Sequence, residues 1–278
     1  MNLIRIQPPH IFRAQALLLL IASLFAPTLG WAQQSLEEQA LEQQNLARAQ
    51  SGWNVTLGGA LVSAPRFPGA SKRRLRLRPL FAIHYGDRLI IGPLGIGVVA
   101  VRWKGFRAGP VLGYQRSRRR TDDPALAALG DVPSSVTAGL FAGYARGPIA
   151  ASVTARQAIS HSADGLSGLL RVDLRHVFIV SRNFVTVGPD LEFGNGDFER
   201  TWFGVSPTQS VDSGLPVYEP RAGINRIGLH GSLTHRATRH VLLRAFARVS
   251  RLAGGAGRSP IVERRGQVEL GVGFAYNF

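Results

Sequence analysis

The sequence predicts an all-β fold, a transmembrane antiparallel β-barrel of about twelve strands behind a cleaved leader. Three observations carry the prediction. From Trp53 onward, apolar and polar residues alternate with period two over most of the chain. The alternating segments run ~9–11 residues, the length a tilted strand needs to cross a bilayer, whereas strands of soluble sandwiches are nearer ~5–6. Short and long connections alternate along the chain, as periplasmic turns and outer loops do in such barrels.

Composition narrows the field before any motif is read. The 278 residues are 45% hydrophobic and 18% charged, with 32 glycines and no cysteine. That apolar content excludes a disordered chain, and the glycines lack the three-residue period of collagen. Without cysteine there are no disulfides, no thiolate nucleophile and no Cys-based zinc site. Residues 14–26 form the longest apolar run, too short for a spanning helix of ~20 residues, so a polytopic helical membrane protein is excluded.

Residues 1–32 read as a secretory signal peptide. Arg5 and Arg13 supply the positive region, residues 16–25 the apolar core, and Gly30-Trp31-Ala32 the small-x-small site, with cleavage after Ala32. The chain carries 33 basic and 17 acidic residues, a net +16, and loses two arginines with the leader. In an exported protein this charge does not point to nucleic acid; phosphate on a membrane surface is the counter-charge it fits. Residues 33–52 are rich in Gln, Glu, Leu and Ala, and read as a periplasmic N-terminal segment, either a solvated leader to the first strand or a docking segment for a periplasmic partner.

Residues 53–278 are the barrel. Trp53, Val55, Leu57 and Leu61 share one face of the first strand. In the second, Leu75 and Leu77 alternate with Arg74, Arg76 and Arg78. Val153 alternates with Thr154 and Arg156; Val172 and Leu174 with Arg171, Asp173 and Arg175; Val187 and Leu191 with Asp190 and Glu192. The last strand is the clearest, with Val268, Leu270, Val272, Phe274, Tyr276 and Phe278 against Gln267, Glu269 and Asn277. Ile224 falls off the face of Ile227 and Leu229, which predicts a bulge between them. Short connections fall at 85–88, 102–105, 146–148, 181–183 and 235–239, and long ones at 63–73, 117–135, 160–166, 194–219 and 252–265. The count is twelve if 91–94 is also an outer turn, and ten if 88–101 is one strand interrupted by Pro93. A short helix is expected over 123–129, opened by Pro124. Trp53, Tyr85, Trp103 and Tyr144 fall at predicted periplasmic ends, where an aromatic girdle sits.

Trp53-Asn-Val-Thr-Leu-Gly58, Pro65-Arg-Phe-Pro-Gly-Ala-Ser71, Arg78-Pro-Leu-Phe81, Gly95-Ile-Gly97, Phe106-Arg-Ala-Gly-Pro110, Leu129-Gly-Asp131, Trp202-Phe-Gly-Val-Ser206, Ser259-Pro-Ile-Val262 and the closing Tyr276-Asn-Phe278 follow one another along the chain. Together they resemble the MipA/OmpV family of outer-membrane proteins. Their order and spacing, more than any single motif, carry the resemblance. The resemblance implies an outer-membrane barrel, a scaffold role in peptidoglycan machinery with a lytic transglycosylase as partner, and porin-like or adhesin-like roles in some members. The final Phe274, Tyr276 and Phe278 resemble the C-terminal assembly signal of bacterial outer-membrane barrels.

Little in the chain points to catalysis. Ser160-His-Ser-Ala-Asp164 holds all three triad residue types, but in one loop, whereas a triad converges from separate segments. His235 and His240 flank a turn without a nearby carboxylate, which makes a poor metal site. Gly92–Gly97 lacks the third glycine of a dinucleotide loop. No catalytic residue, cofactor or metal is assigned, and the chain reads as a non-enzyme. The charged residues say more. Arg74, Arg76 and Arg78 would cost ~2–4 kcal/mol each near the bilayer midplane, so they must face the lumen. The same parity places Arg107, Arg156, Arg171, Arg175, Arg244 and Arg248 there, with Asp173, Asp190, Glu192 and Glu269. Two readings compete: Arg–carboxylate pairs knit the lumen shut, or unpaired arginines line a narrow passage for small anionic solutes. A second basic set at the outer ends includes Arg118, Arg119, Arg120, Arg264 and Arg265, either a surface for lipopolysaccharide phosphates or ordinary solvated loop.

Overall fold

In a computed structural model, residues 52–278 are described apart from 93–94, 162–163 and 181. The leader, its cleavage site and segment 33–51 therefore lie outside the described residues. Thirteen strand segments form one antiparallel sheet: β1 (Trp53–Pro65), β2 (Arg73–Tyr85), β3 (Leu89–Gly92), β4 (Gly95–Val98), β5 (Val101–Trp103), β6 (Phe106–Gln115), β7 (Ser135–Arg146), β8 (Ile149–Ala158), β9 (Leu166–Val180), β10 (Asn183–Gly194), β11 (Gly223–Arg236), β12 (Val241–Leu252) and β13 (Gly266–Asn277). β1 pairs with β13, and β4 and β5 both pair with β6, so the sheet closes as a barrel. β4 and β5 are two parts of one stave broken at Val99 and Ala100, which makes twelve staves. The break is possible because Gly109 stands opposite: a Cβ there would lie 1.7 Å from the Val98 carbonyl oxygen. Segment 88–101 thus forms two staves, and the ten-strand alternative falls. No helix of the described residues is long and apolar enough to cross a membrane.

The period-two pattern becomes two faces of one wall. Leu77, Leu140, Leu229 and Leu75 are 77%, 67%, 65% and 63% exposed on the outer face. A belt of this kind is a liability in water and the natural surface in hydrocarbon. A closed sheet is also one of only two ways to satisfy every backbone group there. The short turns gather at one end. Lys104 and Gly105 make a two-residue hairpin with φ of 43° and 89°, as the twist of the flanking strands requires. The predicted bulge is present: Glu192 pairs with Arg226 and Phe193 with Ile224, leaving Asn225 as the extra residue. Asn225 and Arg226 are both buried, so Ile224 and Ile227 can both face outward.

The long connections carry structure that alternation does not foretell. α1 (Gly196–Phe203) and α2 (Pro207–Ser213) stand between β10 and β11, and α3 (Gly254–Arg258) between β12 and β13. The helix expected over 123–129 is a 3-10 turn, Pro124–Leu129, whose Asp123 side chain accepts from Ala125 N at 3.2 Å.

Candidate functional site

The inner face is divided. Ala60, Val62, Leu80, Ala82, Leu242 and Phe246 form an apolar patch across β1, β2 and β12. The wall of β9 to β13 is charged. Register places Arg171 beside Asp190, Glu192 beside Arg226, His230 beside Arg248, and Arg248 beside Glu269. Directly opposed side chains in such pairs are within reach of one another. Arg248 bridges two carboxylates, donating to Asp190 from Nε (3.2 Å) and Nη2 and pairing through Nη1 with Glu192 at 2.8 Å. Arg226 Nη1 lies 3.5 Å from the other Glu192 oxygen. His230 spans Asp173 (Nε2, 2.8 Å) and Asp190 (Nδ1, 3.2 Å). Gly228 leaves room for this cluster, since a Cβ there would lie 2.9 Å from Asp190 Oδ2. Arg171 and Arg248 are each 1% exposed. Buried charge of this kind is tolerated only when it is paired and hydrogen-bonded.

The structure therefore brings Arg171, Asp173, Asp190, Glu192, Arg248 and Glu269 onto one wall. It adds two further residues, Arg226 and His230. Their signal is their alternation with Ile227 and Leu229 on β11, beyond the bulge at Asn225. The other inner-face cations lie elsewhere. Arg74 pairs with Asp122 at 3.3 Å and donates to the Arg66 carbonyl, while Arg66 pairs with Asp123 at 3.2 Å. Arg76, Arg78, Arg107, Arg156 and Arg244 are buried or half-buried on their strands. Arg175 Nη2 donates to the Gly147 carbonyl near the short-turn end.

Over the charged wall the outer connections build a cap. Phe198, Trp202 and Phe203 of α1 pack with Val132, Leu252 and Ala256. Phe67, Leu126, Leu129, Val205 and Ile261 form a second apolar cluster beside it. Asn195 and Ser206 cap α1 and α2, and Ser206 with Gln209 forms a capping box. Arg118 is a correction to the lipopolysaccharide set. It is 3% exposed, donates to the Trp202 carbonyl at 2.8 Å and lies 5.7 Å over the Trp202 ring. Burial pulls its pKa down to about 10, so it stays charged while turned into the cap. Arg119, Arg120, Arg264 and Arg265 remain exposed. Glu199 of α1 is buried at 1% exposure, accepting from Asn225 Nδ2 at 2.8 Å. Burial pushes its carboxyl up to about 7, and Glu192 adds to the rise.

At the short-turn end Trp53, Tyr85, Trp103 and Tyr144 are exposed, with Trp53 and Tyr85 4.8 Å apart between ring centres. Phe274, Tyr276 and Phe278 are exposed on the last strand and beyond it, and Phe278 N donates to the Val55 carbonyl. Elsewhere, Ser160 Oγ is engaged at the start of β7, accepting from Val136 N at 2.8 Å. His235 and His240 bond separately to Asn183 and the Asn277 carbonyl. Among the described residues no group of three His, Asp or Glu side chains could hold a metal ion. Within the barrel, toward the short turns, lies a cavity of about 260 Å³.

The model of one protein family, described as MltA-interacting protein MipA, matches residues 57–278. No curated protein matches the chain. Among solved structures it is similar to the NanC porin, with 8% identity, 81% of this chain and 100% of that one covered, and a TM-score of 0.43. The CymD monoaromatic hydrocarbon channel gives 11%, 90% and 95%, and 0.41. OprB of Pseudomonas putida gives 11%, 73% and 56%, and 0.38, so the chain spans little more than half the length of that protein.

Proposed function

The chain belongs to the MipA family of MltA-interacting proteins, and on that premise we propose that it is a closed outer-membrane barrel, a scaffold for peptidoglycan-processing enzymes. The observation that carries the reading is the pairing of the buried inner-face charges with one another beneath an apolar cap. A barrel that passes solute keeps a polar, hydrated lumen. Here Asp173, Asp190, His230 and Arg248 are each buried at 7% exposure or less, which favours a structural network over an anion path. The protein works without chemistry of its own, and its partner is a lytic transglycosylase or a related peptidoglycan enzyme held on the periplasmic side. On the outer side, Arg119, Arg120, Arg264 and Arg265 meet lipopolysaccharide phosphates, for which guanidinium gives bidentate geometry.

The test is co-purification. Tagged protein, extracted from envelopes in mild detergent, is expected to carry a lytic transglycosylase with it. Loss of that enzyme on deletion of 33–51 would assign the docking to the segment before the barrel. Retention would assign it to the periplasmic turns. Failure of the intact protein to enrich any peptidoglycan enzyme would count against the scaffold itself.

A further inference from the structure

The cavity toward the short turns has the make-up of a binding site. Its lining includes His84 of β2, Arg107 and Val111 of β6, Phe141 of β7, and Ser152 and Thr154 of β8. At about 260 Å³ it has room for one small organic molecule. The room comes from glycine on the inner face. A Cβ on Gly97 would come 3.2 Å from Phe141 Cε1, and one on Gly143 would come 3.5 Å from Arg107 Nε.

His84 is the unexplained group. It is 1% exposed, and neither ring nitrogen has a hydrogen-bond partner among the described residues. A buried polar side chain without a partner is rare and calls for one. The charge of the site has a definite sign. Asp87 pairs with Arg102, and Asp173 lies 2.8 Å from His230 Nε2, so both carboxylates in the lining are engaged within the protein. Arg102, Arg107 and Arg175 outnumber those two carboxylates in the lining, which leaves its polar side cationic. Val111 and Phe141 supply an apolar side.

We propose that this cavity binds a small amphiphilic carboxylate entering from the periplasm. Its anionic end lies by His84 and Arg107, and its apolar body lies against Phe141 and Val111. The proposal is independent of the scaffold role.

Isothermal titration of the purified full chain in detergent micelles tests it, with benzoate, benzyl alcohol and inorganic phosphate as probes. Benzoate is expected to bind one to one, with the alcohol and phosphate each at least about tenfold weaker. Gly143→Val projects a side chain into the cavity without a backbone clash, and is expected to abolish benzoate binding while the β-sheet circular dichroism is kept. Arg107→Gln and His84→Gln are each expected to weaken it about tenfold. Phosphate as tight as benzoate would overturn the amphiphile, and benzyl alcohol as tight would overturn the carboxylate. Benzoate binding unchanged in folded Gly143→Val would place any site elsewhere. No binding by the wild-type chain at millimolar benzoate would overturn the proposal outright.

Discussion

Glu199→Gln is expected to stabilise the cap at pH 8 by about 3 kcal/mol and to leave it nearly unchanged at pH 4. The carboxyl sits on α1 at 1% exposure, so solvent does little to screen it. Its Oε1 accepts from Asn225, and its Oε2 has no partner among the described residues. Burial raises the folded-state pKa from 4.5 to about 7. The native state therefore holds a proton that the unfolded chain releases between those values. Stability falls as pH rises through that window, and above about 7 the full cost of a buried carboxylate is present. The displacement corresponds to roughly 3 kcal/mol, or about two orders of magnitude in a local opening equilibrium. Glutamine imitates the neutral acid: it keeps the acceptor for Asn225 and removes the charge. Hydrogen exchange of the α1 amides, corrected for intrinsic rates at each pH, reads the difference. Equal protection of the two proteins at pH 8, or a loss of protection in the variant at both pH values, would refute the reasoning.

Three further outcomes follow from the same geometry. Arg248→Met leaves Asp190 and Glu192 without their shared cation, and is expected to cost about 3–5 kcal/mol, read as a lower temperature for loss of the compact band in unheated gel electrophoresis. Trp202→Ala removes the centre of one cap cluster and is expected to cost the cap about 3–5 kcal/mol, with exchange protection lost in α1 and α3 while the strands keep theirs. Leu229→Arg puts a charge at the middle of β11 on the outer face, and is expected to lower the stability of the folded barrel in lipid vesicles by about 2–4 kcal/mol; no change would mean that this face does not meet hydrocarbon.

Much of the wall was legible in the sequence, because strand parity is strict wherever one side meets lipid. Arg74, Arg76 and Arg78 between leucines admit a single orientation, and the bulge at Asn225 announced itself as a slip between Ile224 and Ile227. What stayed hidden was pairing around the ring. Arg248 and Asp190 are 58 residues apart, on strands that are not sequential neighbours, and nothing local joins them. Arg226 and His230 are turned inward by the same parity that turns Ile227 and Leu229 outward. The cap reads as long loops by alternation alone, although its signals are present: Ser206 with Gln209 is a capping box, and Phe198 with Trp202 is one turn of an apolar helix face. Arg118 misled for a related reason. A run of three arginines reads as solvated, yet one of them is drawn inward by the Trp202 ring and carbonyl.

The most direct test of a closed barrel is electrical. The purified chain, reconstituted into a planar bilayer at neutral pH and moderate salt, is expected to give no steady conductance above the bare membrane. Trp202→Ala and Arg248→Met are expected to introduce leak by loosening the cap and the charged wall. A stable, anion-selective current through the unaltered protein, abolished by Arg76→Ala, would contradict the account and make it a channel.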